Sequence, residues 1–317
     1  MLDVIIIGGG PAGMSAALTL GRTHRTVLLA DSGQGRNAPA EAMHNFLTHD
    51  GTAPSKMREL GRADLAAYPH VEVREDPVHT LTRHGEGHFE VVFPDGSAAS
   101  ARRLLLATGL RDEMPAVPGC AELWGRSAFH CPYCHGYEVT GKDVAVLGAG
   151  GDRVRLALQL SRFTRTMTLL TGGDELDGAL REVLAAAGVT VREERVAELA
   201  GEGGDLRHAV LGDGDTLPLD AVFVKTSLHQ RAEFAHQLGC AVFPDSCVEV
   251  NEFHQTSVPG VYAAGDMARR PTVPAPLAAV IAAAAAGTVA GAIIDQDLVS
   301  ADFRLPNPFA ALAAPRA

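Results

Sequence analysis

Leu2-Asp3-Val4-Ile5-Ile6-Ile7-Gly8-Gly9-Gly10-Pro11-Ala12-Gly13 is the stretch that decides the fold. The apolar run up to Ile7 is uninterrupted after Asp3, as in a strand covered on both faces. Met14 to Gly21 reads as a helix, and Thr26 to Ala30 as a second strand ending at Asp31. Gly8-x-Gly10-x-x-Gly13 therefore follows a strand and opens a helix. Gly8 permits the tight turn, Gly10 lets the backbone approach a pyrophosphate, and Gly13 lets helix and strand pack closely. The helix start, including Pro11 and Ala12, offers free N–H groups and a partial positive charge to phosphate. Asp31 stands where a carboxylate accepts from a ribose hydroxyl.

The pattern repeats from Asp143. Val144 to Leu147 is a strand, Gly148-Ala149-Gly150-Gly151 a turn, Val154 to Phe163 a helix and Met167 to Leu170 the next strand. Two such units predict an α/β chain with two Rossmann-like (βαβ) dinucleotide-binding domains. Phe89 to Phe93 followed by Asp95-Gly96 predicts a hairpin, and Arg103 to Thr108 a separate buried strand. Met114 to Gly119 reads as a linker, Asp220 to Val224 and the segment from Val258 to Asp266 as strand-containing stretches, and the tail from Pro306 as peripheral.

The chain has 317 residues, enough for about two domains. Lys plus Arg count 27 against 38 Asp plus Glu, a net charge of −11, with no basic block. That disfavours nucleic acid and anionic membrane surfaces as partners. Leu277 to Ile294 carries no charge and contains Gly287-x-x-x-Gly291, but it is mostly Ala and Gly and closes on Asp295 and Asp297. It reads as a buried helix of a soluble domain, not a membrane span. No basic segment precedes the first apolar run, so no secretory leader is read there. The five cysteines are Cys120, Cys131, Cys134, Cys240 and Cys247, an odd and sparse set that points to a reducing, cytoplasmic compartment.

His130-Cys131-Pro132-Tyr133-Cys134-His135-Gly136-Tyr137-Glu138 carries the chemistry. A C-x-x-C lets two sulfurs open and close a small disulfide, and one of them can be held as thiolate. The flanking histidines offer proton donors and acceptors near neutral pH. A zinc site needs two more ligands, and Cys240 and Cys247 lack the C-x-x-C spacing. A purely structural disulfide fits poorly with a reducing compartment.

These motifs together resemble the low-molecular-weight thioredoxin reductase family. The likeness covers nearly the whole chain. It also takes in Ala107-Thr108-Gly109 and Gly265-Asp266, which look like the further FAD signatures of two-dinucleotide-domain flavoproteins. The resemblance implies a split FAD domain, 1–113 with 244–317, and a nicotinamide-domain-like insert, 114–243, carrying the cysteines. It implies non-covalent FAD held by the first glycine loop, Asp31, Arg36, Asn37, Asn45, Val78 and the two further signatures. The N-terminus of the Ala-rich helix, near Ala278 and Ala279, would face the flavin. His135 stands where thioredoxin reductases carry Asp, so Cys-x-x-Cys-His-Gly-Tyr-Glu looks closest to the gliotoxin- and holomycin-type dithiol oxidases. By position, Cys134 would face the flavin, Cys131 would exchange with substrate, and His135 would be the acid/base. His130 is a second choice for that role.

The second loop departs from the family. Its third small position is Arg153, and the basic cluster that grips the 2′-phosphate is replaced by Thr171-Gly172-Gly173, with Asp177 at a further basic position. Little or no NADPH use is expected, although Arg153 or Arg155 with Thr171 or Asp174 leaves a route for NADH. The partner is a small dithiol or disulfide, or a thioredoxin-like protein. Electrons would leave to oxygen or arrive from a ferredoxin. A homodimer is implied by resemblance. Two other readings remain: an ordinary NAD(P)H-dependent thioredoxin reductase, and a non-catalytic flavin redox sensor.

Overall fold

The computed structural model describes residues 1–85 and 87–309. They form two compact units. One comprises Met1–Arg36, Ser55–Arg111 and the chain from Leu228 onward; the other comprises Asn37–Pro54 and Asp112–Ser227.

The first unit is built on a sheet with strands in the order Val71–Arg74, Val27–Ala30, Leu2–Ile7, Ala98–Leu106, Phe89–Val92 and Thr80–Arg83, and Val261–Ala263 also pairs with Ala98–Leu106. The strand Leu2–Ile7 is parallel to its neighbours, with Ile5 beside Leu28 and Leu104. Its residues alternate between two cores. Ile5 and Ile7 join one cluster with Leu28 and Leu106; Val4 and Ile6 join the other with Leu29 and Leu105. From Val4 to Ile7 the strand is covered on both faces and can spare no polar side chain, which is why the apolar run is continuous there. The expected hairpin forms, but its second strand is not separate from the buried strand at 103–108. Ala98–Leu106 is one strand, antiparallel to Phe89–Val92 up to Ala101 and parallel to Leu2–Ile7 beyond it.

The first helix spans Pro11–Arg22, beginning earlier than Met14, with Pro11 in the first turn. The Ala-rich helix spans Val280–Phe303. It is long and apolar enough to cross a membrane by composition alone. Its packing shows another use. A Cβ at Gly287 would stand 1.9 Å from the Ala12 carbonyl oxygen, and one at Gly291 would stand 3.0 Å from that of Ala16. The G-x-x-x-G face is thus a close contact between two helices of one core, joined by Ala290, Ile294 and Leu298.

The second unit has a parallel sheet ordered Thr190–Arg192, Thr166–Leu170, Asp143–Leu147, Ala221–Phe223 and Ala128–Phe129. A three-stranded antiparallel sheet, Val196–Glu202, Asp205–Leu211 and Thr216–Pro218, completes it. The helix after the second glycine loop spans Gly151–Leu160, shifted towards the N-terminus from the expected 154–163.

The units break at 111/112 and 227/228, whereas the expected breaks were 113/114 and 243/244. The later boundary moves because Phe234, Ala235 and Cys240 are buried in the first unit's core. Segment 37–54 goes with the second unit. Glu41 pairs with Arg126 at 2.7 Å, and a Cβ at Gly125 would meet the Pro39 backbone at 2.9 Å.

Candidate active site

In the first unit the loop after Leu2–Ile7 is shaped by what its glycines must admit. Gly8 has φ +115, and a Cβ there would fall 2.2 Å from the Ala107 carbonyl oxygen. A Cβ at Gly13 would fall 1.8 Å from the Gly8 oxygen. Gly10 is different. It caps the helix in extended conformation without a side-chain cap, and nothing lies within 4 Å of where its Cβ would stand. That leaves an open cradle over a helix start whose N–H groups lack intrahelical partners.

Asp31, 8% exposed, closes one side. Its Oδ1 accepts from the Gly33 N–H at 3.0 Å, and Arg62 stands 3.5 Å from Oδ2. A Cβ at Gly9 would fall 2.4 Å from the Asp31 carboxylate. A side chain at Gly9 would therefore displace Asp31, a constraint the motif alone does not single out.

The later signatures converge here. Ala264 donates to Leu106 O at 3.0 Å, placing Gly265 and Asp266 beside Ala107, Thr108 and Gly109. Thr108 Oγ1 lies 3.3 Å from Met267 Sδ. A Cβ at Gly265, φ +84, would stand 3.1 Å from Ala12 Cβ and 3.8 Å from Ala283 Cβ. The first turns of both helices thus meet at Gly265. Asp266 pairs with Arg36 at 3.1 Å, a contact the sequence does not announce. Ala279 is the N-cap of the Ala-rich helix, directly after Ala278, and no side chain caps it. Val78, half-buried in the loop between Val71–Arg74 and Thr80–Arg83, packs on the first core. Asn37 and Asn45 are not in this unit; both lie in the 37–54 segment, where Asn45 has φ +61 and its N–H donates to Asp50 at 2.8 Å. The open cradle, two uncapped helix starts and the buried carboxylate fit a dinucleotide such as FAD.

In the second unit Cys131 and Cys134 form a disulfide, Cα to Cα 5.3 Å. Cys131 is extended and caps the short helix Pro132–His135, so the chain turns between the sulfurs. The His135 N–H donates to Cys131 O at 3.2 Å. A Cβ at Gly136 would fall 2.2 Å from Pro132 O, so only glycine lets the turn close. The His135 ring stacks on Phe129 at 4.3 Å, and its Nδ1 is buried with no hydrogen-bond partner. Burial pushes its pKa down to about 4, opposed in part by the Glu138 carboxylate. That shift favours the neutral imidazole at pH 7. His130 stacks on Trp124 at 5.4 Å. Glu138 lies 3.4 Å from His44 Nε2, and His44 Nδ1 lies 3.5 Å from Asp50. Sequence reading missed His44, because it is remote in the chain and carries no motif.

The other three cysteines are buried thiols. Burial raises Cys120 to about 11 and Cys247 to about 12, and it raises Cys240 as well. All three stay protonated at neutral pH.

In the second glycine loop a side chain covers the first glycine. Gly148 has φ +106, and Arg153 Cγ lies 3.1 Å from where its Cβ would stand. The Arg153 guanidinium reaches Val224 O at 3.4 Å and Asp152 at 3.2 Å. Thr171, the counterpart of Asp31 after the second strand, is buried with its hydroxyl unpartnered. Asp177 caps the helix Gly178–Ala186, accepting from Ala179 and Leu180 N–H.

The comparisons agree with this architecture. The pyridine nucleotide-disulphide oxidoreductase profile matches residues 2–286. Thioredoxin reductase tcpT of Claviceps purpurea is 35% identical over 280 residues, 84% of this chain and 86% of that protein. The crystal structure of HlmI is 38% identical with a TM-score of 0.88, covering 96% of this chain and 94% of that one. An oxidoreductase from Agrobacterium tumefaciens is 37% identical with a TM-score of 0.86, covering 94% and 98%.

Proposed function

The chain belongs to the pyridine nucleotide-disulphide oxidoreductase family, as a thioredoxin reductase-like, flavin-dependent disulfide oxidoreductase, and from that premise we propose that it oxidises small dithiols with little use of NAD(P)H. One observation carries this reading: the Cys131–Cys134 disulfide stands beside a neutral, partly buried imidazole with a free nitrogen.

The residues would act in sequence. A substrate thiol gives its proton to His135, and the thiolate attacks Cys131 Sγ. The Cys131–Cys134 bond breaks, and its electron pair goes to Cys134 as thiolate. The second substrate thiol attacks the substrate sulfur of the mixed disulfide; Cys131 leaves and takes the first proton back from His135, and His135 accepts the proton of the second thiol. The substrate disulfide is released. Two protons and two electrons have left the substrate: Cys131 is a thiol, Cys134 a thiolate, and the second proton rests on His135. The Gly8–Gly13 loop, Asp31, Asp266 and the start of the Ala-rich helix would hold FAD, which when bound would supply a two-electron acceptor for the reduced cysteine pair.

Arg153 supports the limited use of NAD(P)H. It stands where the first unit has Gly13, the position that lets helix and strand pack closely, and its side chain covers Gly148 and reaches Val224 O. No basic cluster follows the next strand, where Thr171 is buried. Thioredoxin-like proteins as substrates, oxygen or a ferredoxin as electron partner, a homodimer and a cytoplasmic setting belong to the same proposal. The test is anaerobic stopped-flow. Dithiothreitol should bleach the flavin in FAD-loaded protein, while micromolar NADPH or NADH should not. Fast bleaching by NADPH would make the chain an ordinary thioredoxin reductase.

A further inference from the structure

We propose that Gln230 is the positioning residue for Asp266: its side-chain amide holds the turn 265–268 beside Thr108 and Gly109, so that the Asp266 carboxylate is placed for FAD. The inference rests on the reading of Asp266 as an FAD residue. Four observations support it. Gln230 Nε2 donates to Met267 O at 3.0 Å and to Ser246 O at 2.5 Å. Met267 O also accepts from the Val248 N–H at 2.8 Å, and the Ala268 N–H donates to Gly265 O at 3.1 Å, so the backbone on both sides of Asp266 is tied. The next residue, Arg231, donates its N–H to Gly109 O at 3.2 Å and its guanidinium to Leu110 O at 3.3 Å. Gln230 and Arg231 together thus bridge the two later signatures. Ser246 has φ 67, a left-handed conformation that a residue other than glycine keeps only where its surroundings fix it, and its carbonyl is one of the two that the amide grips.

The amide has one workable orientation, because a flipped one would set its oxygen against two carbonyl oxygens. In that orientation Gln230 Oε1 is buried with no hydrogen-bond partner. A stranded acceptor offsets much of what the two donated bonds give the fold. Gln230 therefore contributes more to where the turn sits than to overall stability. Without the amide, Met267 O keeps its bond from Val248, Ser246 O is released, and the turn that carries Asp266 gains freedom. Binding FAD must then order that turn, at a cost in affinity.

The experiment titrates FAD into the full-length apoprotein and reads flavin fluorescence quenching, with melting and amide exchange of the apoprotein measured alongside. Gln230→Met keeps the length and bulk of the side chain without its donors. It should weaken FAD binding about tenfold, the effect of one hydrogen bond, and leave the apoprotein melting point near that of wild type. Amide exchange should quicken at 246–248 and 265–268 and stay unchanged elsewhere in the unit. In an Asp266→Asn background, Gln230→Met should weaken FAD by less than about twofold, because the two residues act on one contact. Should Gln230→Met fail to fold, Gln230→Asn, whose shorter amide cannot reach both carbonyls, is read the same way. Equal weakening in both backgrounds, unchanged affinity, or exchange that quickens throughout the unit overturns the role of Gln230. An Asp266→Asn protein with wild-type FAD affinity instead overturns the reading of Asp266 on which it rests.

Discussion

Arg153 folds back over Gly148, its Cγ 3.1 Å from the place a Cβ would take, and reaches the carbonyl of Val224. In the first unit the corresponding contact is between Gly13 and Gly8, and no side chain intrudes. Arg153→Ala should clear the second loop. Equilibrium dialysis should then show tighter NADH or NADPH binding than in wild type. Binding should remain weak, because each missing charge-assisted bond to a phosphate costs about 1.5–3 kcal/mol. Identical dialysis curves for both proteins would show that Arg153 is not the obstacle.

The two sulfurs should behave differently. Cys134→Ser should abolish both dithiol turnover and any long-wavelength thiolate–flavin band. Cys131→Ser should stop turnover yet keep or strengthen that band. The reverse pattern in absorbance spectra would exchange the two assignments.

His135 should show in stability as well as rate. Its folded pKa, about 4, lies below the ordinary 6.5. Between those values the unfolded chain binds the proton and the folded chain does not, so stability rises with pH across that window and is lost as pH falls from 6.5 to 4. His135→Gln should remove this component. Its melting temperature should fall less steeply between pH 6.5 and 4 than that of wild type. His135→Ala should slow dithiol oxidation about 10²-fold at pH 7. Parallel melting curves against pH would place the imidazole in ordinary solvent.

The cradle can be filled without harming the fold. Gly10 has φ −76 and open space before it, so Gly10→Leu should fold with near-normal stability but fail to retain FAD. Gly13→Leu should damage both, because its Cβ meets the Gly8 carbonyl. Thermal melts and flavin absorbance after gel filtration separate the two outcomes. In wild type, denaturation should release FAD into the filtrate.

Gly287 and Gly291 should differ in the same manner. Gly287→Ala drives a methyl to 1.9 Å from Ala12 O, and overpacking of that kind costs about 1–3 kcal/mol or more. Gly291→Ala, at 3.0 Å, should cost less. Ala12 also contacts Gly265, so Gly287→Ala should weaken FAD retention besides stability. Denaturant titrations that rank the two variants the other way would contradict the helix contact.

Leu2–Gly13, its echo from Asp143 and Cys131–Cys134 determined by themselves the α/β class, the two glycine loops and the redox pair. Each signal is local: a strand, a turn and a helix start lie within a dozen or so residues, and their chemistry depends on spacing along the chain. Tertiary structure decided the rest. It joined 98–101 and 103–106 into one strand and moved the return boundary to 227/228 through the burial of Phe234. It set Gly9 against Asp31 and Arg36 against Asp266. It buried the His135 imidazole against Phe129, which lowers its pKa, and brought His44 to Glu138. Burial and contacts between residues remote in sequence set the dielectric and the charge around a side chain, and no local pattern of residues encodes either.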